Sequence, residues 1–113
     1  MDTSVLEQTP GVLLFTEGAQ AEKREEIRAL YRAYNRAVDA INGDPDSLRQ
    51  AIIRLGEFPP SVRESMFIPR YHHARRPSPE VLRDVTSWMT EKKLINRTPA
   101  YNAVVASGLL PQE

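Results

Sequence analysis

Two adjacent histidines, His72 and His73, lie among Arg70, Arg75 and Arg76 in a stretch bounded by Pro69 and Pro77. They are the chain's only histidines, and imidazole changes charge near neutral pH without a perturbed environment. Adjacent positions point to different sides of a helix or strand, so the pair cannot face one metal ion unaided. Carboxylates would have to come from elsewhere to complete a ligand set. The arginines have the fork geometry that grips a carboxylate or phosphate. A solvated loop, or pairing with a glutamate-rich helix start, accounts for them more simply. Tyr31, Tyr34 and Trp88 are the ring side chains that could stack on a planar ligand, but each falls on an apolar helical stripe, where core packing is the default. Glu64 and Glu91 are candidates for acid–base work. Nothing in the spacing brings them together, and a capping role already accounts for Glu64.

The remaining catalytic templates are missing. There is no cysteine, hence no thiol nucleophile, disulfide frame or cysteine-based zinc site. There is no glycine-rich phosphate loop and no Gly-x-Ser-x-Gly turn. The sequence therefore nominates no catalytic residue, no metal site and no cofactor. It leaves any ligand-binding residue unassigned, and the chain is expected not to be an enzyme.

The elements that would position such residues are mostly helices. Ile27, Leu30, Tyr31, Tyr34, Ala37, Val38 and Ile41 recur at helical spacing and predict a helix over about 20–42. Glu22, Glu25 and Glu26 complement its N-terminal dipole, and Gly43 is the expected left-handed cap. Asp44-Pro45, Ser78-Pro79 and Thr98-Pro99 each read as an N-cap followed by proline at the first helical position, where its missing N–H costs nothing. They predict helices over about 45–55 and 79–94 and a short C-terminal helical turn. Ser61 with Glu64 has capping-box spacing and predicts a helix over about 61–67. Gly56 is expected to close the second helix, and Val81, Leu82, Val85, Trp88, Met89 and Ile95 to form the buried face of the fourth. Residues 69–77 read as an extended surface connection. Val12 to Thr16, between Gly11 and Gly18, reads as a buried strand or a short helical turn. A strand there would need a partner from residues 1–8, another chain or a missing part of the protein. The fold class is mainly α: one candidate strand at about 12–16, four helices and a terminal turn, in one domain spanning 1–113.

Composition narrows the partners. Hydrophobic residues make up 41% and charged residues 27%, so the chain is globular and not disordered. Fifteen basic residues balance fifteen acidic ones. A dedicated nucleic-acid binder needs surplus cations to displace counterions, so none is expected. Zero net charge also leaves little repulsion against self-association. The longest apolar run, Val12 to Phe15, is far too short to span a bilayer, so no membrane insertion is expected. Met1-Asp2-Thr3-Ser4-Val5 lacks a basic-then-apolar pattern, so no signal peptide is expected in this chain.

The order of segments resembles a known family. Gly11-Val-Leu-Leu-Phe-Thr16, then Glu25 through Tyr31 and Tyr34 to Ile41-Asn42, then Asp44-Pro45-Asp46 are similar to solute-binding proteins of ABC importers. The branch in question includes binders of nitrate, taurine, alkanesulfonates and thiamine-pyrimidine precursors. There a strand leads into a long helix ending near Ile-Asn, followed by a residue-Pro-acid helix start. Ser61 to Ser65 after Pro59-Pro60, the linker Met66 to Tyr71, the helix from Pro77-Ser-Pro79 through Trp88 to Arg97, and the tail Val104 to Pro111 follow in the same order. The resemblance covers about residues 10–111, and its specificity lies in the order, not in any one motif. It implies the C-terminal part of a periplasmic, two-lobed receptor, with the parent's lobes or an ABC permease as partner. Family members are much longer and hold their solute mainly in parts this chain lacks, so the resemblance assigns no ligand residue here.

A standalone helical interaction module is the competing expectation. In it Val12–Phe15 and the apolar face of residues 27–41 would be covered by a second copy, giving a homodimer. A small enzyme built on His72 or His73 with Arg75 ranks below both, because no nucleophile–base–orienter set assembles.

Overall fold

Capping side chains set where the helices begin. In the computed structural model, which describes residues 11–112, the Thr16 hydroxyl accepts from the Ala19 N–H at 3.1 Å and opens α1, Glu17–Glu22. The long helix α2 is Arg24–Gly43, and α3 is Pro45–Gly56. A single 3-10 turn follows at Pro60–Val62, then α4 at Pro79–Glu91 and a one-turn α5 at Tyr101–Val104. Asp44 accepts from Ser47 N–H at 3.2 Å, and Ser78 accepts from Val81 N–H at 3.1 Å. Both Asp-Pro and Ser-Pro starts thus work as the sequence predicts, and the fold is mainly α.

The candidate strand does not form. Val12 to Thr16 is irregular chain, and no strand exists among the described residues. A lone apolar run has no ladder partner to satisfy its main chain, so it stays open. The 20–42 helix is also different: it starts earlier, at Glu17, and is interrupted at Lys23, whose φ of −126° and ψ of 32° lie outside the helical region. Lys23 N–H still bonds Ala19 O at 2.8 Å, and Lys23 O accepts from Ile27 N–H at 2.9 Å, so the axis bends without losing its ladder.

Helix ends differ from expectation. Gly43 remains helical, and Asp44, at φ −151° and ψ 81°, turns the chain directly into α3. Gly56 is the last residue of α3, but the left-handed position is Glu57, at φ 54°. Likewise α4 stops at Glu91, short of 94, with Lys93 left-handed at φ 60°. Leu94 N–H reaches Met89 O at 2.9 Å and Lys93 N–H reaches Thr90 O at 3.0 Å. This is the paired Schellman closure, made here with lysine where glycine is usual. Gly56 has another duty. The Phe58 ring folds back into the space a Cβ would occupy there.

Two further starts are displaced. The predicted 61–67 helix contracts to the 3-10 turn, with Pro59 at its cap position and no side-chain cap bond, so the Ser61–Glu64 capping box is not made. Only Met66 N–H to Val62 O, at 2.8 Å, extends it. α5 begins two residues beyond Pro99, with extended Ala100 at its cap and no side-chain cap bond, so Thr98 does not cap it.

The core is small. Ile27 and Val38 of α2, Ile53 of α3 and Leu109–Leu110 of the tail are the buried hydrophobic residues. The tail is thus part of the core. On α4 the most buried residue is Thr86, 5% exposed, whose hydroxyl donates to Leu82 O at 2.9 Å. Leu82 and Met89 are half-buried beside it, whereas Val85 and Trp88, expected inside, lie on the open side. Extended packing between helices is confined to chain neighbours, α1 with α2 and α2 with α3. The chain exposes 9155 Å². A self-contained globule of this mass exposes about 6,300 Å², and eleven further residues, even fully extended, would add at most about 1,800 Å². About 1,000 Å² more surface is therefore open than a closed domain of this size leaves.

Candidate functional site

The polar side of α2 organises everything that follows α3. Asn35, Asp39 and Asn42 are spaced four and three apart, so they line one helical face. Each holds the connection that precedes α4. Asn42 makes a two-way bond with Tyr71: its Nδ2 donates to Tyr71 O at 2.8 Å, and its Oδ1 accepts from Tyr71 N–H at 2.9 Å. Asn35 Oδ1 accepts from Ala74 N–H at 2.8 Å. Between them Asp39 Oδ1 meets His73 Nε2 at 2.6 Å. The far side of the connection is tied by Tyr101, whose hydroxyl donates to Pro77 O at 2.6 Å. Residues 69–77 do run irregularly over the surface, but they are latched by name.

The N-terminal turns of α2 hold the tail in the same way. Arg24 Nη2 donates to Ser107 O at 3.2 Å, and Arg28 Nε donates to Gly108 O at 2.8 Å. Gly108 is left-handed, at φ 75°, where any other residue is strained, and the Arg24 guanidinium lies where a Cβ would be. The two residues that follow, Leu109 and Leu110, are buried. On α3, Arg49 donates to Met66 O at 2.7 Å and pairs with Asp46 at 3.1 Å, fixing the 3-10 turn region.

Against this frame the sequence candidates separate. His73 is spent on the latch to Asp39, and both side chains are more than half exposed, so the pair is solvent-screened and worth little by itself. His72 is exposed, and Arg70, Arg75 and Arg76 are exposed around it. Glu64 lies at the 3-10 turn and Glu91 at the end of α4, both exposed and with no bond between them. No three or more His, Cys, Asp or Glu among the described residues converge on one point. The aromatic trio is divided as well. Tyr31 is half-buried and meets Phe15 edge-on, with centroids 6.2 Å apart at 71°. Burial, and secondly the neighbouring Tyr34, push its phenol up from the ordinary value of 10.0. Tyr34 and Trp88 are exposed.

Two shallow hollows open on the surface. The larger, about 420 Å³, lies between α3 and the 3-10 turn and is lined by Gln50, Ile53, Arg54, Glu57, Phe58 and Arg63. The smaller, about 130 Å³, lies under Ile68, Pro69 and Arg70 beside Asn42. The more distinctive surface is apolar. Val12, Leu13 and Leu14 stand open ahead of α1, and Val85 and Trp88 stand open on α4, where Trp88 is 53% exposed.

Sequence reasoning missed the latch residues. Their signal was present: Asn and Asp disfavour helix interiors because they compete for the backbone, yet three occur at helical spacing inside α2. No described helix is long and apolar enough to cross a membrane. Comparison with known proteins finds no matching family model, no similar curated protein and no similar solved structure.

Proposed function

We propose that the chain is a non-catalytic helical segment of an ABC-transporter solute-binding protein, supporting solute uptake as scaffold or permease-docking piece. The resemblance over about residues 10–111 supplies the family. The observation that carries the reading is the open apolar side of α4, with Val85 and Trp88 half exposed. An exposed tryptophan on a helix whose inner face already packs is characteristic of a surface that another body covers. The latches from α2 serve such a surface, since they fix the connection into α4 and so its orientation.

Coproduction tests this directly. The chain is made together with a taurine- or nitrate-type receptor truncated before its C-terminal helices. A stoichiometric complex that survives gel filtration is the expected result. Trp88→Ala should weaken it by about tenfold or more, the scale of an interfacial tryptophan hot spot. A chain that elutes separately from every such receptor contradicts the proposal.

A further inference from the structure

We infer that the hollow between α3 and the 3-10 turn is a binding site for a small aromatic monocarboxylate. The hollow measures about 420 Å³, within the range of roughly 300–1,000 Å³ usual for small-molecule sites. Its walls are held by named bonds. Phe58 N–H donates to Ile53 O at 3.2 Å, which folds the chain back at the end of α3, and Arg63 N–H donates to Pro60 O at 3.3 Å. Arg49 of α3 reaches across to Arg63 O at 3.5 Å and to Met66 O at 2.7 Å, so helix and turn are strapped together. The polar side chains that line the hollow are by contrast unspent. Gln50, Arg54, Glu57 and Arg63 make no side-chain hydrogen bond or ion pair with any described residue. Arg54 and Glu57 have the spacing that pairs along a helix. Glu57 is left-handed, past the end of α3, and no ion pair joins them.

Three features select the occupant. The first is charge. Two guanidiniums and one carboxylate give the lining a net positive charge, so a monoanion balances it, whereas a dianion such as phosphate is opposed by Glu57. The C-terminus of α3 adds about half a negative charge, which the two guanidiniums outweigh. The second is donor geometry. A guanidinium presents parallel N–H donors that match the two oxygens of a carboxylate, and the Gln50 amide adds a neutral donor beside them. The third is the apolar part of the lining. Ile53 is buried, at 4% exposure, and Phe58 stands beside it at 39%. A ligand ring placed against Phe58 covers apolar surface and gains the favourable geometry of an aromatic pair. The site shares no residue with the open side of α4, so it gives the chain a ligand beyond its docking role.

Benzoate is the probe. Titrated into the full chain and followed by amide NMR, it should bind saturably, with a Kd in about the millimolar range that so small a ligand allows. The amides that shift should fall within residues 50–63. Benzamide, which keeps the shape and lacks the charge, should bind about tenfold more weakly, since charge-assisted hydrogen bonds are the strong ones. Inorganic phosphate at mildly alkaline pH, where it is a dianion, should also bind more weakly than benzoate. The double substitution Arg54→Gln with Arg63→Gln should weaken benzoate by about tenfold or more. Helical circular dichroism should stay unchanged, because both side chains are exposed. Glu57→Gln should tighten benzoate and narrow its advantage over phosphate. Failure of benzoate to saturate overturns the inference. Equal binding of benzamide or phosphate does so too, as does benzoate binding that survives the double substitution or shifts residues away from the hollow. None of these outcomes bears on docking through Trp88, which the receptor complex reads separately.

Discussion

At the scale of single residues, Asn42 does the most with one side chain. It satisfies both the N–H and the C=O of Tyr71, so the residue acts as a local substitute for a strand partner. Asn42→Ala removes two hydrogen bonds on a partly exposed site, and each is worth about 1 kcal/mol net. A loss of about 1–2 kcal/mol in denaturant unfolding is expected, with an unchanged m-value if only the native state is affected. Tyr31 gives a second residue-level expectation. Its folded-state pKa is raised, chiefly by burial. The unfolded phenol therefore ionises first as pH rises. Stability from this group is full below the unfolded value of 10.0 and declines above it. Tyr31→Phe should flatten that alkaline decline in a pH series of denaturation curves, leaving the neutral region level. At this scale the sequence was only partly legible. His73 and Tyr31 were visible as candidates, but their real partners, Asp39 and Phe15, are 34 and 16 positions away, and spacing alone does not encode such pairs.

At the scale of elements, two starts were legible, while the Ser61 and Thr98 starts and the stops were not. Asp44-Pro45 and Ser78-Pro79 carry their mechanism in adjacent residues, so both caps were found. The stops after α3 and α4 use Glu57 and Lys93 in the left-handed region, where a reader looks for glycine. At the first of these stops, Phe58 folds back over Gly56. A left-handed non-glycine residue costs about 1–2 kcal/mol. Lys93→Gly and Glu57→Gly should each raise stability by about 1 kcal/mol, read as a higher denaturation midpoint. A fall at either site would mean that its side chain contributes more than the backbone strain costs. The strand reading failed for the complementary reason. Apolar composition at Val12–Phe15 describes what the segment is suited to, whereas a strand exists only when a ladder partner is supplied.

At the scale of the whole molecule, the balance between core and surface decides the account. Among the described residues five hydrophobic side chains are buried, while Leu13, Leu14, Leu30, Tyr34, Val85, Trp88 and Leu94 remain open. Helical periodicity correctly marked Val85 and Trp88 as lying on an apolar face. Both are nevertheless exposed, and Thr86 takes the inner position instead. The burial of Leu109–Leu110 was not read from the sequence, because the bonds from Arg24 and Arg28 of α2 to residues 107 and 108 join positions about eighty apart.

Trp88 is the chain's only tryptophan, so it reports on α4 without interference. The most direct measurement is fluorine NMR of the chain labelled with fluorotryptophan, alone and after assembly with an unlabelled receptor truncated before its C-terminal helices. Alone, the resonance should show the solvent isotope shift of an exposed ring, in keeping with its 53% exposure. In the complex the line should move and lose that shift as the ring leaves water. A complex that forms while the Trp88 line keeps its position and its solvent sensitivity would contradict the claim that α4 is the docking face.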